Sequence, residues 1–277
     1  MDLSQRPLFE VEVAVLDVET TGLSPPCGDR VVEIAVVTGG LEGEPECWSS
    51  LVYPEQPMDL GASEVNGITD EDLEGKPIFG AILADLRQRL EGRVIVAHNA
   101  PFDLGFLAAE YERAGEEFEA GVVFDTLSLA RRCYHFGGNS LGNILRQLNI
   151  RNRDEHRALG DARATFEVYR RFAADLEASH PTVGDWLTAQ GGPGWKRGPD
   201  APELPEDHPL LEALREESAV RVRYTDGRGA VTERELVPLR ISGLYLTAWC
   251  CLRAGERSFR VDRVEVLGSE DKGARDA

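Results

Sequence analysis

Apolar residues from Val11 to Asp17 run almost without interruption, which predicts a buried strand, and the turn signal Thr21-Gly22 and the loop around Pro25, Pro26 and Gly28 close it. Val31 to Val37 predicts a second strand, stopped at Gly39-Gly40, and Cys47 to Tyr53 a third; hairpin-length connections make the three antiparallel. The period then lengthens. Ile78, Ile82, Leu83, Leu86 and Leu90 recur at helical spacing, Arg93 to Ala97 reads as a short buried strand, and Phe102 to Ala114 is helical again. Val122 to Phe124 predicts another strand, followed by helices near Thr126 to Cys133, Ser140 to Leu148 and Leu159 to Leu176. Strands first, then alternating helices and strands, indicate an α/β layered domain with a mixed sheet.

Between Gln190 and Pro209 the chain turns to glycine, proline and acidic residues, a composition that holds no regular element. Beyond it a short helix, Leu210 to Glu217, leads strand-like runs at Val220 to Tyr224, Thr232 to Val237, Leu244 to Leu252 and Ser258 to Val266, with Asp226-Gly227 as a hairpin signal. The organisation expected is a larger α/β domain over residues 8–178, a linker over 179–208 and a small β-rich domain over 209–267.

Charge sharpens this division. The 277 residues hold 49 acids and 30 bases, a net of −19; residues 206–277 hold 14 and 12 of these, which leaves 35 and 18 before them. So acidic a domain is not built to coat nucleic acid, yet it can act on a phosphodiester if its carboxylates hold cations that reverse the local sign. Five cysteines, with no C-x-x-C, support neither a disulfide framework nor a zinc site. The first ten residues lack the pattern of a signal peptide, and no apolar run approaches a membrane span, so the cytoplasm is the expected location, with no membrane partner.

Asp17 and Glu19, two residues apart on a strand, point to one face and could share a hard cation. Taken alone, D-x-E is also the ordinary solvated end of a strand. Asp103 follows the strand ending near Ala97, where Pro101 and Asp103 would occupy the first turn of a helix, and Asp161 lies in the first turns of the long helix after His156. Both acids have a second explanation, the positive end of a helix dipole. His98 reads as a hydrogen-bonded structural residue; His135, His180 and His208 read as solvated.

Together the stretches Asp17-Val18-Glu19-Thr20-Thr21-Gly22-Leu23, His98-Asn99-Ala100-Pro101-Phe102-Asp103 and His156 with Asp161 five residues on resemble the motifs of the DnaQ-like, DEDDh 3′-to-5′ exonucleases. Arg30 to Val37 and Val65 to Thr69 are similar to stretches that accompany them. A sister group has tyrosine four residues before the last acid; that position is Arg157 here, so the histidine subtype is favoured. The resemblance implies an RNase H-like mixed sheet flanked by helices, and two divalent cations, Mg²⁺ or Mn²⁺, on Asp17, Glu19, Asp103 and Asp161. It implies that His156 is the general base, and that Thr20, Thr21, Gly22, Leu23, Asn99 and Phe102 meet the terminal nucleotide. The implied activity is hydrolysis from nucleic acid 3′ ends, single-stranded DNA favoured, beside a DNA polymerase or repair partner. Trimming of RNA stays open.

Residues 209–267 resemble the WYL domain through Arg221 to Asp226, Leu244 to Cys250 and Arg257 to Val264, although the family's namesake tryptophan is Leu244 here. The resemblance implies a nucleotide ligand or single strand held by Arg257, Arg260, Arg263 and Tyr245. Read on one strand, Arg257 and Arg263 share a face and Arg260 takes the other. Pairing of these arginines with Glu256, Asp262 and Glu265 is the competing reading. A regulator that works through this module, with the nuclease fold as scaffold, is the alternative function.

Overall fold

The computed structural model describes residues 3–25, 28–195, 204–205, 207–225, 230–242, 245–252 and 255–267, and of residues 242, 245, 256 and 258 the backbone alone. The Asp226-Gly227 turn, Leu244, the Tyr245 side chain and most of the Gly/Pro segment lie outside them. Two compact units are present, one made of the described residues 3–25 and 29–195, the other chiefly of those from 204 onward. No helix among the described residues is long and apolar enough to cross a membrane.

The first unit is a sheet between two layers of helices. Strands β1 (Val13–Thr20), β2 (Val31–Gly39) and β3 (Glu46–Leu51) pair antiparallel, as expected, while β4 (Val94–Ala97) and β5 (Val123–Asp125) run parallel to β1, in the order β3-β2-β1-β4-β5. Helices α1 (Leu60–Asn66), α2 (Asp70–Leu73) and α3 (Phe79–Leu90) precede β4, and α4 (Ala100–Arg113) connects β4 to β5. After β5 come α5 (Thr126–Cys133), α6 (Leu141–Leu148), α7 (Ala158–Leu176) and α8 (Val183–Ala189).

The two-residue period of β1 divides the core. Val13 and Val15 join Phe166, Val168 and Phe172 of α7 on one side, while Ala14, Leu16 and Val18 join Leu86 of α3 and Leu104 and Leu107 of α4 on the other. A strand covered on both faces must be apolar at every position, hence the run Val13 to Leu16. Asp17 and Glu19 keep the parity of Val13 and Val15, so they look toward the α7 layer.

Two expectations change here. Strand β1 does not end at Asp17 but continues to Thr20, because its backbone keeps pairing with β2 through Asp17↔Ala35, Val18↔Ile34 and Glu19↔Glu33 before a register shift. Moreover, the segment 179–208 is not linker from its start. Thr182 caps α8 in a reciprocal capping box with Asp185, and Trp186 is fully buried, its ring 4.9 Å from that of Phe124 and 5.5 Å from that of Tyr169. Beyond α8, the Gln190 side chain accepts from the Asp125 N–H at 3.0 Å and donates to the Val123 carbonyl at 2.9 Å, and the Trp195 ring meets Phe118 edge-on at 5.7 Å.

In the second unit, α9 (Pro209–Arg215) precedes β6 (Val220–Thr225), β7 (Val231–Ser242), β8 (Tyr245–Cys250), β9 (Gly255–Arg260) and β10 (Val264–Val266). The sheet order is β10-β6-β7-β8-β9. Only the turn Val261–Arg263 separates the two edge strands, a span of roughly 10 Å, so the sheet must curl nearly closed. Leu210, Val222, Leu236, Leu246 and Phe259 fill it.

That turn corrects the single strand expected over Ser258 to Val266. Arg257 and Arg260 sit on β9, three residues apart and so on opposite faces, and Arg263 lies in the turn, so the face that Arg257 and Arg263 were expected to share does not exist. Arg260 pairs with Asp262 at 2.7 Å, the competing reading for that residue, while Arg257 is exposed.

Candidate active site

At one end of the sheet, three elements bring carboxylates together. Asp17 and Glu19 come from β1 and Asp161 from the first turn of α7, and one oxygen of each lies within 4.8 Å of the others. Asp103 enters from the first turn of α4 on the opposite face of the sheet; it is buried, and its carboxylate accepts from the Val18 N–H at 3.2 Å. It stands outside the close trio but near enough for its charge to act on Asp17.

Electrostatics set this site apart. Burial first, then the charges of Asp103, Asp161 and Glu19, hold the Asp17 carboxyl well above the usual carboxylate range. Burial, Asp161 and Glu33 push Glu19 up to about 7, although Arg157 pulls the other way. Asp103 and Asp161 are raised as well, each chiefly by burial. Like charges this close and this dry repel one another, and an all-oxygen donor set of hard carboxylates is what Mg²⁺ or Mn²⁺ takes. The residues therefore fit the cation role that the motifs imply.

The His156 loop is anchored to the same cluster. Its own N–H donates to Asp161 Oδ2 at 3.1 Å, Asn152 Nδ2 donates to Oδ1 at 2.6 Å, and His156 takes a left-handed φ of 63° with its side chain exposed. A side chain at Gly160 would run into the Asp154 carbonyl, so glycine lets the loop fold back on α7. Next to His156, the Arg157 guanidinium forms a two-bond fork with Glu33 at 2.9 and 2.8 Å, and Glu33 also accepts from the Ala158 N–H at 3.0 Å.

Thr20 and Thr21 are buried. The Thr20 hydroxyl donates to the Gly22 carbonyl at 2.5 Å, and that of Thr21 accepts from the Arg30 N–H and from Gln56. A Cβ on Gly22 would meet the Asp29 carboxylate at 2.6 Å, and Leu23 projects into solvent, 84% exposed. Asn99 caps α4 in a left-handed conformation, φ 73°, and Phe102 is half-buried, its ring 5.0 Å from that of Phe106. The His98 ring is hydrogen-bonded through both nitrogens, to Thr126 Oγ1 at 2.9 Å and to the Asn139 carbonyl at 3.0 Å, the structural role expected of it.

Residues outside the motifs carry part of the construction. Buried Asp125 accepts from the Asn99, Ala100 and Leu127 N–H groups and from Ser128 Oγ, which ties the start of α4 to that of α5. Glu33 had a signal of its own: an acid amid the otherwise apolar Val31 to Val37 needs a partner inside the fold.

Residues 14–169 match the family model RNase_T, described as exonuclease, and residues 208–268 that of the WYL domain. A DNA polymerase III subunit epsilon-like protein of Rhodobacter capsulatus is 36% identical over 181 residues, 64% of this chain and 26% of that protein. The DNA polymerase III subunit epsilon of Treponema pallidum is 34% identical over 59% of this chain and 77% of its own length. The 3'-5' exonuclease DinG of Bacillus subtilis is 33% identical over 61% of this chain, which spans 18% of it. Several of the relatives are thus far longer than the stretch they share with this chain. Among solved structures, E. coli Exonuclease I in complex with a dT13 oligonucleotide superposes with a TM-score of 0.56 at 16% identity, over 86% of this chain and 55% of that one. Exonuclease X in complex with 5' overhanging duplex DNA gives 0.51 at 24% identity, over 65% and 99%. These structures share the fold. With more than half of its length matched by the family model, and its acids gathered where the sheet ends, the chain belongs to the RNase_T exonuclease family.

Proposed function

We propose that the chain removes nucleoside 5′-monophosphates from the 3′ ends of nucleic acid, single-stranded DNA in preference, with two divalent cations, Mg²⁺ or Mn²⁺. The observation that carries this reading is the meeting of Asp17, Glu19 and Asp161 within 4.8 Å, with the loop of His156 hydrogen-bonded to the last of them. The polarity follows the relative described as a 3'-5' exonuclease, and single-stranded DNA the solved neighbour bound to an oligonucleotide.

Asp17, Glu19, Asp103 and Asp161 would hold the cations, which supply Lewis acidity to the phosphate oxygens and a more acidic water. The chain's own groups do the rest. Thr20 to Leu23, Asn99 and Phe102 hold the terminal nucleotide. The His156 imidazole takes a proton from the attacking water as its oxygen bonds to phosphorus; the P–O3′ bond breaks, and the 3′ oxygen leaves with the electron pair and picks up a proton. An imidazole is the side chain most often used for such a proton transfer. His156→Ala lowers kcat by roughly 10²- to 10⁴-fold and leaves Mn²⁺ affinity within about threefold, as measured by calorimetry; full activity in this variant removes His156 from the mechanism. Purified protein incubated with 3′- and 5′-labelled single-stranded DNA and RNA, with Mg²⁺, Mn²⁺ or chelator, tests polarity, sugar and metal together. Stable products from the 5′ end, or activity in chelator, contradict the reading.

The WYL module is proposed to hold single strand or a nucleotide through Tyr245, Arg257 and Arg263. Removal of residues 206–277 then raises KM for oligonucleotides or abolishes a nucleotide response; identical progress curves for both proteins would rule this out. A polymerase or repair partner is proposed on the epsilon relatives alone.

A further inference from the structure

Residues 1–205 carry 35 acids, enough to place about five in any run of 28 residues, yet the 28 residues from Thr126 to Arg153 hold none. They hold five arginines instead: Arg131, Arg132, Arg146, Arg151 and Arg153. The run comprises α5, α6 and the loops after them, and it touches the catalytic region at both ends.

At its start, α5 is capped by Asp125, which also holds Asn99, and the charge of Arg131 acts on His98, whose ring is bonded to Thr126 and Asn139 of the same run. At its end, Arg151 and Arg153 flank Asn152, whose amide donates to Asp161. Arg146, on α6, donates to the Gly142 carbonyl, and the Gly142 α-carbon faces the Glu155 carboxylate beside His156. Arg131, Arg146, Arg151 and Arg153 are exposed, and none of them has a carboxylate within ion-pair distance among the described residues. Arg30, Arg87, Arg93 and Arg157, elsewhere on the same unit, each have one.

We infer that the exposed arginines of this acid-free run form the track for the phosphodiester backbone of the substrate strand, on the 5′ side of the nucleotide being removed. The inference rests on the nuclease reading and adds where the rest of the strand runs. A strongly acidic domain repels a polyanion, and association needs a local surface of opposite sign that leads to the site. Unpaired guanidinium groups bind phosphate oxygens through paired N–H donors without reading sequence.

The test replaces Arg131, Arg146, Arg151 and Arg153 by Gln in the full chain and compares two substrates, the p-nitrophenyl ester of thymidine 5′-monophosphate and an oligothymidylate of about twelve nucleotides. The ester reports the catalytic centre alone, and kcat/KM for it stays within about twofold. KM for the oligonucleotide rises at least about tenfold, and the slope of log affinity against log salt becomes shallower by about 3, at roughly 0.7 for each phosphate no longer neutralised. The pair Arg151→Gln and Arg153→Gln gives about half that change. Equal salt slopes and an unchanged oligonucleotide KM overturn the track, as does an equal loss on both substrates, which marks damage to the centre instead. If the wild-type chain cleaves neither substrate, the nuclease reading fails, and the difference in salt slope for oligonucleotide binding still decides whether the track exists.

Discussion

Asp17→Asn stops hydrolysis, to below about a thousandth of the wild-type rate, and at the same time raises the melting temperature of the cation-free nuclease unit. Both effects have one origin. The Asp17 side chain is placed among Glu19, Asp103 and Asp161, where burial and the charges of these acids and of Glu33 oppose its ionisation. The amide keeps the shape and discards the repulsion. Relief on the order of 2 kcal/mol moves the unfolding transition of a domain this size by roughly 4 to 8 °C. The pH dependence has a definite sign. Glu19, raised from 4.5 to about 7, keeps its proton in the folded protein over a range where the unfolded chain has released it. The contribution of this group to stability in chelator is therefore fully present below about pH 4.5 and is lost as pH climbs toward 7. Mg²⁺ reverses the loss in the wild type and does so weakly in the variant. Calorimetric scans across that range, with chelator and with Mg²⁺, measure all of this; a wild type whose melting temperature rises between pH 5 and 7 in chelator would contradict it.

Arg157→Ala carries the second large effect. The guanidinium is half exposed, but its partner Glu33 is buried at 5%, and Glu33 lies directly across the β1–β2 ladder from Glu19. Removing the arginine leaves a buried carboxylate facing the acidic cluster with, among the described residues, only the Ala158 N–H to satisfy it. Such a loss costs about 3 kcal/mol, discounted for the exposed side of the pair. Arg157 also ties the residue next to His156 onto β2, so kcat falls by roughly 10²-fold as the imidazole drifts, while KM changes little. Arg157→Lys restores part of both, because it returns the charge without the fork. The double variant Arg157→Ala with Glu33→Gln regains stability but not kcat, which separates positioning from folding. Equal recovery of both would reduce Arg157 to a structural role.

Much of the nuclease unit was legible because strong periodicity and buried strands leave little choice. The run Val31 to Val37 and the helical spacing from Ile78 to Leu90 landed within a residue or two of β2 and α3. Where reading failed, local pattern and tertiary pairing disagreed. Asp17 and Glu19 look like the polar end of a strand, yet β2 continues to bond their backbone, and the two acids are held inside the ladder. Helices α1, α2 and α8 are too short for a periodic pattern, but Thr69 with Asp72 and Thr182 with Asp185 spelled out the capping boxes of α2 and α8. The break between β9 and β10 could not be seen in the apolar pattern, since the turn keeps Val261 buried and so looks like strand. For the site, the four acids and His156 were nameable by motif, whereas Glu33 and Asp125 act through partners 124 and 26 residues away in sequence, Arg157 and Asn99.

Trp186 sits where the chain has already left the stretch matched to the nuclease family, and its indole still plugs the layer between Phe124 and Tyr169. A fragment cut after residue 178 would open a hole of a whole tryptophan and untether β5 from Gln190, immediately before the aspartate that clasps Asn99. The piece of this protein to clone by itself therefore ends past Trp195, and the apparent spacer is the nuclease's own keystone.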